Sequence, residues 1–576
     1  MRITSARRTA LLSFCYLLGA CRHAPDPTAS QGTTNGDQDT DGDEDTDTDA
    51  DETPPGIVLA VNQDVDILFV IDNSGSMGEE QGLLAADFPA FISVLEAEDF
   101  AVNYRIGVTT TDNGNPWCGE TSPESGKLQM SSCRGRTGQF VFDGNPPADA
   151  TAAACADVCV FDEITTTATT TAFDSSPKPR PWLEKTGGNV NLAATSDIDG
   201  TTRVPTPTEA FRCFGPQGID GCGFESHLES MYQAMVRAQN DDDAQYGFLR
   251  SNAMLAIVVI SDETDCSYDS AYASIFLPAS MGGNPAAFWS DPTAAAPSSA
   301  VCWRAGVHCD GGASGYDNCT AVNKDVDGNE GVSDDQAVLH PVARYTDFVQ
   351  QLETDKQMIT PGQEVLVAMI AGVPQGYEAH GAGLHYADAV DAVEQAEFGI
   401  GAGCTYEDGD PFTPLGTARP PVREREFAES FEVSDSRNLY SICQESYVGV
   451  LDAIANTIKD QIKPACMTAC VADTNLVTSE LEPECTLMQE APDPDTGSTI
   501  ELEIDACQAG GALSNVQDVC YETLVGDQLS EACQREGWNL EFRLNRRDGV
   551  PAPAGASVRA TCQLSPNQKL DCPGLP

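Results

Sequence analysis

Asp72-Asn73-Ser74-Gly75-Ser76-Met77 follows directly on the apolar run Val65–Ile71. A buried strand that stops on an acid, followed by two hydroxyls at alternating positions, puts three hard oxygen donors on one tight loop. Hard neutral and anionic oxygens suit Mg²⁺, Mn²⁺ or Ca²⁺, and not zinc. A second apolar run, Leu255–Ile260, ends in the same way on Ser261-Asp262. Asp262 is therefore the fourth candidate ligand, with Glu263 and Asp265 as possible helpers. Each motif alone also reads as a helix cap or an Asx-turn. Their shared position, each at the end of a hydrophobic strand, points instead to one metal site.

Placing such a site requires a particular kind of scaffold. Short continuous apolar runs (65–72, 102–109, 255–260 and 365–370) alternate with amphipathic segments at 83–95, 225–238 and 447–462. That alternation predicts an α/β fold with a doubly wound, mostly parallel sheet. In open sheets of this class, ligands bind beyond the carboxyl ends of the strands, where Asp72 and Asp262 fall. Pro89 lies inside the first helical segment and is expected to kink or restart it. Three long connections, at about 113–205, 266–340 and 375–436, interrupt the pattern as Cys- or Gly/Pro/Thr-rich insertions. Within the first, Thr165–Thr171 is expected to be an exposed loop or edge strand.

The Asp-x-Ser-x-Ser motif after a hydrophobic strand, with a later strand ending hydroxyl-Asp, resembles the metal-ion-dependent adhesion site of von Willebrand factor type A (vWA) domains. The resemblance spans about 61–464. It implies that Asp72, Ser74, Ser76 and Asp262 hold Mg²⁺, Mn²⁺ or Ca²⁺, with one coordination position left for a carboxylate from a protein or matrix partner. It also implies a Thr ligand in a Gly-Gly-x-Thr-like loop. Here the corresponding stretch, Gly218–Leu228, has the glycines but no Thr. Glu225 or Ser226 is the substitute it offers, and Thr109–Thr111 another source of hydroxyl. With Glu225 the site becomes more anionic, holding metal more tightly and attracting an acidic ligand less.

Elsewhere, Asn323-x-Asp325-x-Asp327-Gly328 with Asp334 at the twelfth position approximates a calcium loop, a possible secondary Ca²⁺ site. No Gly-x-Ser-x-Gly, His-Glu-x-x-His or phosphate loop occurs, so the chain reads as a binding protein and not an enzyme. The alternatives are a structural envelope scaffold with a degenerate metal site and, further off, a metal-assisted hydrolase.

The amino-terminal end carries an address. Arg2, Arg7 and Arg8 precede a short apolar stretch that closes on Leu18-Gly19-Ala20-Cys21, similar to a bacterial lipobox with Cys21 as the acylated residue. Residues 1–20 would then be the signal peptide, and the chain a lipid-anchored envelope protein. Arg22 after the Cys tilts it to the outer membrane. Residues 21–60 read as an acidic, disordered tether, ten of the sixteen residues from Asp37 to Glu52 being acidic.

The formal charge is −58, becoming −61 without the three signal-peptide Arg, which disfavours nucleic acid and anionic lipid as partners. Of 22 Cys, setting aside Cys15 and Cys21 leaves 20 in even blocks: six at 118–222, four at 266–319, two at 404 and 443, eight at 466–572. Mostly local disulfides in an oxidising compartment are expected. The last block coincides with period-two runs at 500–504, 538–544 and 558–562, predicting a small Cys-rich β domain over 465–576.

Overall fold

The computed structural model describes residues 57–574, apart from 60–63, 98–101, 120, 145–146, 187–188, 360–362, 407–415, 434–435, 463–464, 476, 479–480, 493–498, 509 and 548–556. The signal peptide, Cys21 and the acidic tether as far as residue 56 lie outside the described residues.

The chain builds β1 (Asp64–Ile71), α1 (Gly78–Leu95), β2 (Asn103–Thr110), β3 (Leu183–Thr186), β4 (Asn189–Val190), α2 (Pro207–Phe214) and α3 (His227–Ala238). Then follow β5 (Met254–Ile260), α4 (Val342–Gln357), β6 (Leu366–Ala371), α5 (Val422–Ala428), β7 (Leu439–Ser441) and α6 (Val448–Gln461). The seven strands form one sheet in the order β7-β6-β5-β1-β2-β3-β4. Five of them, β7 through β2, run parallel, while β3 and β4 are antiparallel. From β1 the chain moves outward through β2, β3 and β4, then returns to the other side of β1 as β5. That reversal makes a switch point at the carboxyl ends of β1 and β5.

The strands are apolar on both faces because helices cover both. Ile67, Phe69 and Ile71 of β1 face α1, α2 and α6, where Phe88, Phe211 and Ile454 are buried. Leu68 and Val70 face α3, α4 and α5, with Met231, Tyr345 and Phe427. Truncating a ring such as Phe69, fully buried against three others, would cost about 3–5 kcal/mol. Helix α1 runs through Pro89 without a restart. The proline leaves the carbonyl of Ala85 without its helical donor, and Arg212 of α2 donates to it at 3.3 Å and to Ala86 O at 3.1 Å.

Three expectations need correction. The stretch 113–205 is not purely an insertion, because it supplies the β3–β4 hairpin to the sheet. The stretch 375–436 likewise contains α5, whose apolar side (Val422, Phe427, Ala428) seals core. The tether stops short of residue 60, since Ile57–Leu59 is a strand paired with Val558–Ala560. Leu59 is buried there in the core of the C-terminal region. Ala168 and Thr169 pair with Pro179 and Lys178 as a short ribbon, within the expected loop or edge-strand character.

The C-terminal region carries its own core of Leu59, Leu487, Ile504, Phe542 and Val558. It contains β8 (Cys485–Pro492), β9 (Thr499–Ile504), β10 (Val519–Leu524), β11 (Glu541–Arg546) and β12 (Ser557–Cys562). One antiparallel sheet runs Ile57–Leu59, β12, β8, β9, and a second runs Ala465–Cys466, β11, β10. The ten disulfides among the described residues all stay inside the even blocks of the sequence. They are 118–222, 133–155 and 159–213, then 266–302 and 309–319, then 404–443, and finally 466–533, 470–572, 485–562 and 507–520.

Candidate functional site

β1 and β5 remain paired to their last residues, so Asp72 and Ser261 leave the sheet side by side. The Asp72 amide donates to Ile260 O at 3.0 Å, and the Ser261 amide to Ile370 O at 3.1 Å. The Asp72 carboxylate accepts two hydrogen bonds, from the Ser74 amide on Oδ1 at 2.7 Å and from the Ser261 hydroxyl on Oδ2 at 2.5 Å. The Ser74 and Ser76 hydroxyls lie 3.2 Å apart. Ser76 also reaches Asp262, where its hydroxyl favours the ionised carboxylate. Asp72, Ser74, Ser76 and Asp262 are thus brought together at the switch point. Asp72 is fully buried and Ser74 is 2% exposed, while Ser76 opens to solvent.

The loop is locked from the far side by Gln81 of α1. Its amide nitrogen donates to the carbonyls of Asp72 and Gly218, at 2.7 Å each, and its oxygen accepts from the amides of Gln217 and Gly218. Gly218 holds φ at +99°, and the Gly221 amide donates to Asn73 O. A β-carbon on Gly221 would sit 2.4 Å from the Asn73 side chain, which would have to move to admit it. The 118–222 disulfide anchors this segment beside the motif.

Glu225 lies at the same end of the sheet, fully buried, with Thr111 donating its hydroxyl to one carboxylate oxygen. Its other oxygen is buried without a hydrogen-bond partner, as are Oδ1 of Asp262, Oε2 of Glu80 and the Thr109 hydroxyl. The carboxyls crowd one another. Burial and then the Asp72 charge push Asp262 up to about 7. Burial and then Asp262 push Glu80 up to about 8. Glu225 and Glu263 are held well above the carboxylate range by burial, followed by Asp72 for the first and by Asp262 and Asp72 for the second. Among the described residues none of Asp72, Glu225, Asp262 and Glu263 forms a salt bridge. The positive group that acts on Asp262, Arg419, is committed to Glu394 at 2.6 Å.

This donor set fits a hard divalent cation. It offers two acids, two converging hydroxyls and buried oxygens with no hydrogen bond of their own. Among the described residues there is no group of three or more His, Cys, Asp or Glu placed as a metal cage. An ion here would be held by Asp72 and Asp262 with the neutral hydroxyls of Ser74 and Ser76, and Glu225 behind them.

The other candidate loop is organised differently. Asp325 Oδ1 accepts from the Asp327 and Asn329 amides at 3.0 and 2.9 Å, and Asn323 donates to Asp334 at 2.9 Å. Asp327 accepts from Asn284 at 3.1 Å. The four side chains close an exposed turn, and the segment before them is the strand Gly315–Ala321 and not a helix.

Several participants carried no sequence signal. Gln81 looks like an ordinary polar helix residue. Nothing in the sequence marks His227, within the Gly218–Leu228 stretch, or Glu424 as site residues, yet His227 Nε2 lies 2.6 Å from the Ser261 hydroxyl. Burial pulls His227 down, but Glu424 and Asp265 outweigh it and the imidazole is raised. A cleft runs beside Asp262, lined by Glu79, Glu80, Tyr406, Gln444 and Tyr447. Glu79 and Glu80 in the first turn of α1 were the one readable hint of it.

No family model and no curated protein matches this chain. Two crystal structures of the pilus adhesin SpaC from Lactobacillus rhamnosus GG, one in an open conformation, align at 9% identity with TM-scores of 0.25 and 0.24. The alignments cover 87% of this chain and 39% of those chains, so this chain spans well under half their length, and at such scores the likeness carries no argument about function.

Proposed function

We propose that the chain is a cell-envelope lipoprotein whose sheet domain, of the vWA kind, binds a protein or matrix ligand through a divalent ion. The observation that carries this reading is the convergence of Asp72, Ser74, Ser76 and Asp262 at the switch point, beside buried acids with no cation of their own. Asp72 and Asp262 hold the ion or its water, and the two Ser hydroxyls complete the set without adding charge. Mg²⁺, Mn²⁺ or Ca²⁺ would supply an electrophilic coordination position for a partner's carboxylate, reached past the exposed Ser76. Glu225 in place of a Thr strengthens cation holding and lowers the pull on that carboxylate. Thr111, bonded to Glu225, keeps a hydroxyl at the position. Anchoring through Cys21 at the outer membrane completes the proposal; among the described residues no helix is long and apolar enough to cross a membrane.

The test is a thermal titration of the full chain with Mg²⁺, Mn²⁺ and Ca²⁺ beside Asp72→Ala. Wild type should gain stability that saturates, by about 2.7 kcal/mol at a hundredfold excess over Kd, and the variant none. A flat response from wild type would overturn the metal reading and leave a disulfide-built scaffold.

A further inference from the structure

The hydrogen-bond directions around Ser261 form a chain that metal ligation by Asp72 does not by itself explain. The Ser261 hydroxyl gives its single hydrogen to Asp72 Oδ2, at 2.5 Å. Its remaining capacity is as an acceptor. One lone pair takes the Glu263 amide at 3.1 Å. The other faces His227 Nε2 at 2.6 Å, which must therefore be the protonated, donating nitrogen. The opposite ring nitrogen, Nδ1, lies 3.4 Å from Glu424 Oε1 and 3.8 Å from Asp265 Oδ1.

Those two acids are themselves fixed. Asp265 takes Arg423 Nε at 3.0 Å, the Ser267 hydroxyl at 2.5 Å and the Leu228 amide at 3.2 Å. Its own amide donates to Glu424 at 2.5 Å. His227, Ser261 and Asp72 are all buried, and they come from three separate parts of the chain: the start of α3, the end of β5 and the end of β1. A histidine needed only to fill space there would be replaced at less cost by an apolar side chain, since burying a polar ring demands partners.

We infer that His227 is a positioning residue for Asp72, acting through Ser261 so that the carboxylate presents a fixed pair of lone pairs to the ion. This inference rests on the metal-binding reading above. The Glu263 and His227 donors leave the Ser261 hydroxyl one orientation, and that orientation together with the Ser74 amide fixes the plane of the Asp72 carboxylate. Outer groups that orient a ligating carboxylate typically set metal affinity by about 10–100-fold.

The experiment uses Mn²⁺ alone as the probe, with the full chain, reading its dissociation constant and, separately, the melting temperature in chelator. His227→Leu removes the donor and should weaken Mn²⁺ binding by about 10–100-fold. His227→Gln keeps an N–H donor and should recover most of the affinity. Ser261→Ala should lose as much as His227→Leu, and the double variant no more than either, because both cut the same chain. Wild-type Mn²⁺ affinity in His227→Leu, or losses that add in full, would overturn the positioning role. A merely structural histidine would lower the chelator melting temperature of the Leu and Gln variants alike and leave Mn²⁺ affinity unmoved. Should His227→Leu fail to fold, Ser261→Thr against Ser261→Ala carries the same test: Thr must keep the affinity and Ala lose it. If wild type binds no Mn²⁺, the metal reading itself fails, and this inference with it.

Discussion

The two ends of the central sheet both bury charged groups and treat them in opposite ways. Near the amino ends of β1 and β2, Arg250 pairs with Asp66 at 2.8 Å and with Asp64 at 3.1 Å, and Arg105 pairs with Glu184 at 2.9 Å. Lys356 from α4 caps the carbonyls of Arg250 and Ala253 at 2.7 Å each. At the carboxyl ends, Asp72, Glu225, Asp262 and Glu263 crowd one another, the one nearby guanidinium named above, Arg419, is paired with Glu394, and Oδ1 of Asp262 and one oxygen of Glu225 have no hydrogen bond. Both clusters are desolvated, so both carry the penalty of buried charge. One repays it with resident guanidinium groups. The other is an arrangement of carboxyls that a folded chain sustains with protons or with a cation from solution. The contrast separates an end whose charges are paired within the chain from the end where we propose that an ion binds.

Breaking the paired end should produce the largest effect. Arg250→Ala leaves the fully buried Asp66 without its guanidinium, and the chain should lose about 3–5 kcal/mol, read as the urea midpoint with and without Mg²⁺. That loss should be the same in both conditions, since the metal end is intact.

Next comes Asp72→Ala, which should abolish the metal-dependent part of the stability, about 2.7 kcal/mol at a hundredfold excess over Kd. In chelator its urea midpoint should change much less than that of Arg250→Ala, because removing one of several crowded acids relieves repulsion while two hydrogen bonds are lost. A chelator midpoint as low as that of Arg250→Ala would erase the contrast.

Acidity sharpens the comparison further. Asp262 stands at about 7 when folded against an ordinary 3.8, so between those values the folded chain holds a proton that the unfolded chain has shed. Stability from this group is present at low pH and is lost as pH rises through about 7. Lys356 has the opposite sign. Burial lowers it to about 8 from 10.5, the folded chain sheds its proton first, and stability rises with pH across that window. Asp262→Asn in chelator should therefore be more stable than wild type at pH 8, by about 1.4 kcal/mol for each pKa unit relieved, and lose that advantage near pH 4. Lys356→Met should flatten the rise between pH 8 and 10.5. Differential scanning calorimetry against pH reads both.

The smallest effect is expected from Glu225→Gln. It keeps the Thr111 contact and the volume, removes the charge Glu225 would take on beside a bound ion, and should weaken divalent-ion binding without moving the fold, by about 0.5–1.5 kcal/mol in a calorimetric titration.

How much of this was readable beforehand depends on the kind of signal. β5 announces itself because a strand buried on both faces is apolar at every position, as in Leu255–Ile260, and β1 does so through its run Ile67–Ile71 despite the buried Asp66. The site motif was readable because it lies within a few residues of each strand end. The even Cys blocks were readable too, although their internal pairing was not. Helix α2 was missed despite Thr206 and Glu209 forming a full capping box, since it is only eight residues long and lies among insertions. Helix α4 was missed because Val342, Tyr345 and Val349 are its only buried apolar positions, set among acids and amides. Strand β7 is three residues long, too short for any period. Of the groups that orient the site, Gln81 lies nine residues from Asp72, but its bonds to Gln217 and Gly218, like those of His227, Asp265 and Glu424, span 34 to 159 residues, which no local spacing encodes.

The most direct test of the central claim, that the carboxyl end is completed by a divalent cation, is a crystal structure of the full chain grown with Mn²⁺ and recorded for its anomalous signal. The account predicts one strong peak bounded by Ser74, Ser76, Asp72 and Asp262, about 2.0–2.3 Å from its nearest oxygens. A map with no peak there, while Asp72 and Asp262 still face each other at a pH where both are ionised, would contradict it.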